Sequence, residues 1–515
     1  MSALPDVLPS GDEARVYCES VDQVRQLVRR ANAEGRALYP YSIGLNWGYG
    51  GRQPVRPGSL QVDLSRMNRI LNADSIAPAN PVAVIEPGVT QGQLADFLAK
   101  HHPTLTFNVT GSARGTSLLG NSLDRGVGYL GPRREDIFGL EVVTGRGDLI
   151  YTGFRRLGKK EPSDPDSPLA HVHPYGLGPI LDGLFSQGNF GIVTSACFRL
   201  LPRAAKQAAI SLALRDADRL GEFIDALAAL KREGVMVGVT HIGDRARTEA
   251  TLTAGIERYL RQHCGLKGAA LGGEAARVLR VVAPHEWSSL GSVSGSSAQV
   301  REALRLVRAR VGGLARVMVV TDERLALGWA VLHPLRRWGL ARAHAAAIDA
   351  IRPLHGLASG QPTDVAIDNL LWRYGQPELS AVSLEDSHCG VLFINPALPM
   401  QGAFVQRFVA AMRAEAKRHG QRLYMTLNIE TPMALVAVVN LLFDRRVESE
   451  VSGAKRCADD LHRLIQREGL SVYRARNDMM NEVVDGGQPY WRLVRDLKQV
   501  LDPNNIISPG RYNLD

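Results

Sequence analysis

The chain has 515 residues, more than one hydrophobic core usually organises, so two to three folding units are expected. With 45% apolar and 22% charged residues it reads as a globular protein, which excludes a fibrous or disordered chain. The net charge of +9 is spread through the sequence without a run of five like charges. No zinc-finger or RNA-binding aromatic signature accompanies it, so nucleic acid is not expected as a partner. Cys18, Cys197, Cys264, Cys389 and Cys457 lie far apart, which argues against a CxxC metal site or a disulfide framework and for a reducing compartment. The N-terminus lacks a basic and apolar leader, and no apolar stretch is long enough to span a membrane; a cytoplasmic location without membrane attachment is the expectation.

Short strands and helices alternate from Val16 to Leu200. "SVDQVRQLVRRANAEG" predicts a helix ended by Gly35, "SLQVDLSRMNRIL" and "PVAVIEPGV" predict strands, and "TQGQLADFLAKHH" predicts a helix opened by Thr90. Beyond "ACFRLLPR" the pattern changes to longer strand and helix pairs, "AAISLAL" with "DADRLGEFIDALAALKREG" and "GVLFINPAL" with "GAFVQRFVAAMRAEAKRHG", which reads as a second domain. Residues 240–315 give no clear pattern. The end, "YWRLVRDLKQVLDPNNIISPGRY", predicts a helix, a turn and an extended tail.

Three glycine-rich stretches punctuate the first unit. "PYSIGLNWGYGG", Pro40 to Gly51, follows a predicted strand and suits an anion nest, because glycine lets backbone amides approach a ligand closely. The second, Gly111 to Gly153, carries Ser117, Gly120 and Asn121, and the third, Asp182 to Pro202, carries Gly191. Each alone is compatible with plain loop architecture. None is a GxGxxG followed by an acid about 20 residues on, so a nicotinamide-binding unit is disfavoured.

Taken in order, "PYSIGLNWGYGG", "VIEPGVTQGQL", "GNSLDRGVGY", "GLEVVTGRGDLIYTG", "YGLGPILDGLFSQGNFGIVT", "YRARNDMM" and "LDPNNIISPGR" resemble the vanillyl-alcohol oxidase and p-cresol methylhydroxylase family of FAD-linked oxidases, the 4-alkylphenol branch. The resemblance is close over the first 200 residues and the end, and faint between. It implies an α+β chain with a two-part FAD-binding domain and an α/β cap domain built on an antiparallel sheet. The expected division is 1–203 for the N-terminal part of the FAD domain, 204–469 for the cap, and 470–515 for a segment returning to the site. It further implies that Ser42, Ile43, Gly44, Leu45, Asn46, Gly48, Tyr49 and Gly50 wrap FAD. Ser117, Gly120 and Asn121 extend that cradle, Gly191, Ile192 and Val193 lie beside the adenine, and Arg474 and Arg511 complete the cofactor set. Tyr49, Tyr473 and Arg474 match the family's phenol-binding trio: two hydroxyl donors and a guanidinium that hold a phenolate and ease hydride departure from its para substituent.

The sequence departs from the family in two places. Relatives tether FAD through a histidine or tyrosine on a cap strand, whereas "NIETPMALVAVVNLLFDRR", Asn428 to Arg446, has neither; noncovalent FAD is expected, with His388 and Tyr424 in structural roles. After "GVGY", where relatives carry an acid near the flavin, this chain has "LGPRRED". Glu135 or Asp136 is expected to fill that role, Glu135 being the catalytic candidate, and Arg133 and Arg134 are expected either to face a substrate anion or to sit in a solvated turn. The predicted activity is hydride removal from the benzylic carbon of a para-substituted phenol, through a p-quinone methide, ending in hydroxylation, desaturation or oxidative decarboxylation. The alternatives are an FAD-linked oxidase of a sugar or 2-hydroxy acid, or a flavin-free scaffold. The family resemblance also implies a homodimer.

Overall fold

The computed structural model describes residues 14–367 and 387–514. Its first sheet is parallel, with strand Leu60–Asp63 between Arg15–Tyr17 and Leu38–Tyr41. The crossover that parallel pairing demands is the helix Val21–Glu34, capped by Ser20, whose side chain accepts the Gln23 amide, and closed by Gly35 at φ 62°. A second, antiparallel sheet runs in the order Val82–Ile85, Gly191–Arg199, Ile137–Thr144, Leu149–Tyr151. Thr90 caps the helix Gln91–His101, as its sequence predicts. The strand expected over "SLQVDLSRMNRIL" ends at Asp63, where the Asp63 carboxylate accepts the Ser65 amide and turns the chain out of the sheet.

The third sheet has eight strands, all antiparallel, in the order Ala315–Val320, Lys206–Leu214, Trp287–Gly295, Thr240–Asp244, Tyr424–Ile429, Ala434–Asp444, Cys389–Ile394, with Ala397–Pro399 also paired to Ala434–Asp444. Helices Leu220–Arg232, Ser297–Val311, Gly402–Arg418 and Glu448–Arg467 cover one face, and residues such as Ile210, Leu212, Ile242, Leu427, Val439 and Leu441 form the core beneath them. Because side chains alternate along a strand, their neighbours Ala209, Ser211, His241, Gly243, Thr426, Asn428, Val438 and Asn440 face the other way and line a cavity. The stretch 240–315, unpatterned in the sequence, supplies two of these strands and the helices Arg245–Cys264 and Gly268–Val282, which pack with Gly339–Ala358 beside the cavity. "NIETPMALVAVVNLLFDRR" is split between two strands by a turn at Thr431, whose hydroxyl accepts the Met433 and Ala434 amides.

The C-terminal segment closes back on the first sheet. After helix Pro489–Leu501, the Ile506 carbonyl accepts the Leu38 amide at 2.6 Å and the Ser508 amide donates to the Leu38 carbonyl at 2.7 Å. Lys498, fully enclosed, pairs with Asp502 at 2.6 Å and donates to the Ile507 carbonyl, fixing the return. Among the described residues, no helix is long and apolar enough to cross a membrane.

Candidate active site

The loop Ser42–Gly51 leaves the carboxyl ends of the parallel strands, the position where open α/β sheets bind ligands. Among the described residues, none of the backbone amides from Ser42 to Asn46 donates to another protein group. A run of amides without partners beside a cleft is suited to phosphate oxygens. The second glycine stretch packs against this loop: a Cβ on Gly120 would lie 2.7 Å from Ser42 Oγ, so only glycine permits the approach. Ser117 caps the short helix Leu118–Leu123, accepting the Gly120 amide at 2.9 Å and donating to the Pro87 carbonyl.

Ser42, Ile43, Gly44, Leu45, Asn46, Ser117, Gly120, Asn121, Gly191, Ile192, Val193, Arg474 and Arg511 all line this one cleft, joined by Asp124, Gln187 and Ser508. Gly48 and Gly50, expected in the cradle, do not line it. A Cβ on Gly48 would meet Phe393 at 2.4 Å and one on Gly50 would meet Asn477 at 2.5 Å, so these glycines make room for neighbours rather than for a cofactor. Tyr49 turns away from the cleft into a second cavity of about 460 Å³ between the first unit and the large sheet.

Cleft and cavity meet at Leu45, Asn46, Thr116, Asn121 and Arg474. Here Tyr49, Tyr473 and Arg474 converge. The Arg474 guanidinium stacks 4.0 Å from the Tyr49 ring centroid, and Phe393 lies parallel on that ring at 4.8 Å. Asn395 donates to the Tyr49 hydroxyl, leaving the tyrosine's own proton free for a ligand. Burial raises the pKa of both Tyr49 and Tyr473, so both remain hydrogen-bond donors. Burial works against the charge of Arg474, but Asp124 and the tyrosines outweigh it and hold the guanidinium firmly protonated. Asp124 pairs with Arg474, accepts Arg511 at 3.1 Å and Asn46 at 3.1 Å, and binds the three into one network.

Glu135 is corrected: it is exposed and lines neither cleft nor cavity. The short 3-10 turn Arg133–Asp136 directs its side chains elsewhere. Arg133 is fully enclosed, 3.8 Å from Asp136 and 5.5 Å from the Phe198 ring centroid, and burial lowers its pKa to about 10. Arg134 donates to the Ile137 carbonyl at 2.9 Å. Asp136 is held by Asn108 at 2.8 Å and Arg199 at 3.1 Å. Neither arginine faces the cavity. Tyr424 packs against buried apolar neighbours and His388 precedes a strand with its carbonyl bonded to the Arg445 amide; neither lines the site.

The residues that sequence reading missed lie mostly on the large sheet and its flanks: Phe393, Asn395, His241, Arg247, and Tyr129 from the glycine-rich loop. His241 Nδ1 lies 2.8 Å from Asn428 Oδ1 and its ring 4.6 Å from that of Tyr129; burial lowers its pKa to about 4, so it is a neutral imidazole. Asp124 sits within "GNSLDRGVGY", and its signal was a lone carboxylate among glycines.

The residues present fit FAD. The free amides suit its pyrophosphate, and at the junction the buried Asn121 Oδ1 and Arg474 Nε have no protein partner among the described residues, as ring-binding groups would. Residues 13–153 match the FAD binding domain family. The chain is 29% identical over 511 residues to the 1'-carboxy-chondrochloren decarboxylase of Chondromyces crocatus, covering 96% of this chain and 89% of the relative. It is 26% identical over 508 residues to the flavoprotein subunit of the hydroxylating 4-cresol dehydrogenase of Pseudomonas putida, covering 98% and 88%. The crystal structure of p-cresol methylhydroxylase with substrate bound has the same fold, with a TM-score of 0.79 at 24% identity, covering 98% of this chain and 89% of that one. Over nearly its whole length the chain is thus similar to FAD-dependent relatives of the 4-cresol dehydrogenase kind, and it shares the fold of p-cresol methylhydroxylase.

Proposed function

We propose that this protein removes hydride from the benzylic carbon of a para-substituted phenol. The observation that carries this reading is the convergence of Tyr49, Tyr473 and Arg474 where the FAD cleft opens into the cavity. Two hydroxyl donors and one fixed cation stabilise a phenolate, and a phenolate pushes electron density toward its para carbon. The amides of Ser42–Asn46 would hold FAD, which would supply the hydride acceptor. Phe393, stacked on Tyr49, adds aromatic surface to the cavity lining, which suits a planar ring better than a sugar. The resulting p-quinone methide is open to water, to loss of a β-proton or to loss of a β-carboxylate. The 4-cresol dehydrogenase and the decarboxylase among its relatives carry out chemistry of these kinds by name.

We read the FAD as noncovalent, because His388 and Tyr424 lie away from the cleft; acid precipitation is expected to release the yellow chromophore into the supernatant. The working picture is a cytoplasmic homodimer, checked by sedimentation and by cell fractionation. The central test is anaerobic mixing of the holoenzyme with a panel of para-substituted phenols. Bleaching of the flavin by some of them is the expected result, and no bleaching by any would overturn the reading.

A further inference from the structure

The cavity has a second polar end, away from the phenol-binding trio. Arg247 lines it from the first turn of helix Arg245–Cys264, where Asp244 caps the helix by accepting the Arg247 amide at 2.8 Å. A cation in the first turn lies at the positive end of the helix dipole, and burial further disfavours its charge. Among the described residues, no carboxylate lies within ion-pair distance of its guanidinium and no acceptor takes its hydrogens. Asp244, the nearby acid, is already engaged by Arg413 at 3.1 Å and by two backbone amides. Tyr129 lines the same end, held by its backbone to Val109 and Val239, and its hydroxyl also has no protein partner among the described residues. His241 beside it is fixed by Asn428 and carries no charge to balance Arg247.

A half-buried cation and a hydroxyl donor, both without side-chain partners among the described residues and both open to the cavity that holds the phenol trio, form the complement of an anion. We propose that Arg247, with Tyr129, binds a carboxylate on the para side chain of the phenolic substrate, so that the enzyme selects 4-hydroxyphenyl acids over neutral alkylphenols. This rests on the phenol reading above. The role is one of selection and placement: an ion pair stabilises the carboxylate itself, not carbon dioxide, so the pair acts on binding before any later loss of that group.

The test uses holoenzyme reduced with dithionite, which binds phenols without oxidising them. Calorimetric titration compares 3-(4-hydroxyphenyl)propanoate, its amide and 4-ethylphenol. Wild type is expected to prefer the acid to the amide by roughly tenfold or more, the scale of one charge-assisted contact. Arg247→Met, close in volume, is expected to bring that ratio to about one, Arg247→Lys to keep part of it, and Tyr129→Phe to lower it by a few fold. An unchanged flavin spectrum in each variant checks that the fold is intact. Equal binding of acid and amide by wild type, or an acid preference that survives Arg247→Met, overturns the proposal. If 4-ethylphenol binds while the acid does not, the carboxylate inference alone fails; if no phenol binds, the phenol reading fails and takes this inference with it.

Discussion

At the end of the cavity that faces the cleft, the arginines have a protein carboxylate: Arg474 and Arg511 share Asp124, and Asn46 is bonded to both Asp124 and Arg474. At the opposite end Arg247 has no such answer among the described residues. Both are half-buried arginines, yet one shares a protein carboxylate and the other has none among the described residues. A closed network is preorganised: it holds its geometry before a ligand arrives and costs little reorganisation during the reaction. An open cation is stabilised only by what binds it, which makes it a device for choosing ligands. On the proposed reading, the difference would separate the group that supports chemistry from the one that sorts substrates, although the residue type is the same.

The comparison is broken most forcefully at Asp124. Asp124→Asn removes the one carboxylate between two arginines, and a loss of about 3–5 kcal/mol is expected, as when one partner of a buried pair is deleted. A fall in thermal midpoint, with loss of bound flavin on gel filtration, is the measurement; unchanged stability would show that the network is not closed in the sense meant here. Arg474→Lys comes next. It keeps the charge but loses the planar fork, and about 2–4 kcal/mol of transition-state stabilisation, roughly 30- to 1000-fold in the rate of flavin reduction, is expected to go with it. Arg247 variants are expected to move binding of acids by about tenfold, which places them below both.

An effect of similar size, but on stability rather than on the choice of ligand, is expected from Gly48→Ala. The added Cβ would sit 2.4 Å from Phe393, at a backbone φ of 70°, so the ring must leave its stack on Tyr49. A cost of about 1–3 kcal/mol in stability and a weaker affinity for every phenol, acid or neutral, would set this position apart from Arg247. The mildest is a slope. His241 takes its proton at about pH 4 in the folded protein against 6.5 in the unfolded chain, so the unfolded state binds more protons between those values. Stability from this group is therefore full above pH 6.5 and is lost as pH falls toward 4. His241→Gln should flatten the decline of thermal midpoint in that window relative to wild type.

Much of the closed end was legible in the sequence, because its residues lie in short phrases. "GLNWGYGG" carries Asn46 and Tyr49 together, and Tyr473 and Arg474 are adjacent, so each pair is visible locally, while only the family resemblance joined the two phrases at one site. Direction was harder to read than position. "RRED" is four charged residues in a row, and nothing in it tells which point inward; the turn buries Arg133 and Asp136 against each other and leaves Glu135 in solvent. The open end was illegible for a different reason. His241 reaches the cavity from strand Thr240–Asp244 and Arg247 from the helix that follows it, and the register of that strand depends on pairing with Trp287–Gly295 and Tyr424–Ile429, one of them far along the chain. One local signal was available there: in "HIGDRAR" an aspartate stands where a strand ends and a helix starts.

The return of the C-terminal segment has a consequence for how the protein folds. The Leu38 strand edge is completed by Ile506 and Ser508, and the tie is secured by Lys498 on Asp502. Arg474 lies 428 positions from the Asn46 it bonds, and Ser508 and Arg511 face the loop Ser42–Asn46 across a still longer stretch of chain. Contacts of such long sequence separation are slow to form, because closing the loop costs entropy before the contact repays it. Until they form, the strand edge at Leu38 stays unpaired and the cleft lacks its C-terminal side, so the proposed grip on FAD depends on the Lys498–Asp502 tie as well as on the glycine-rich loop.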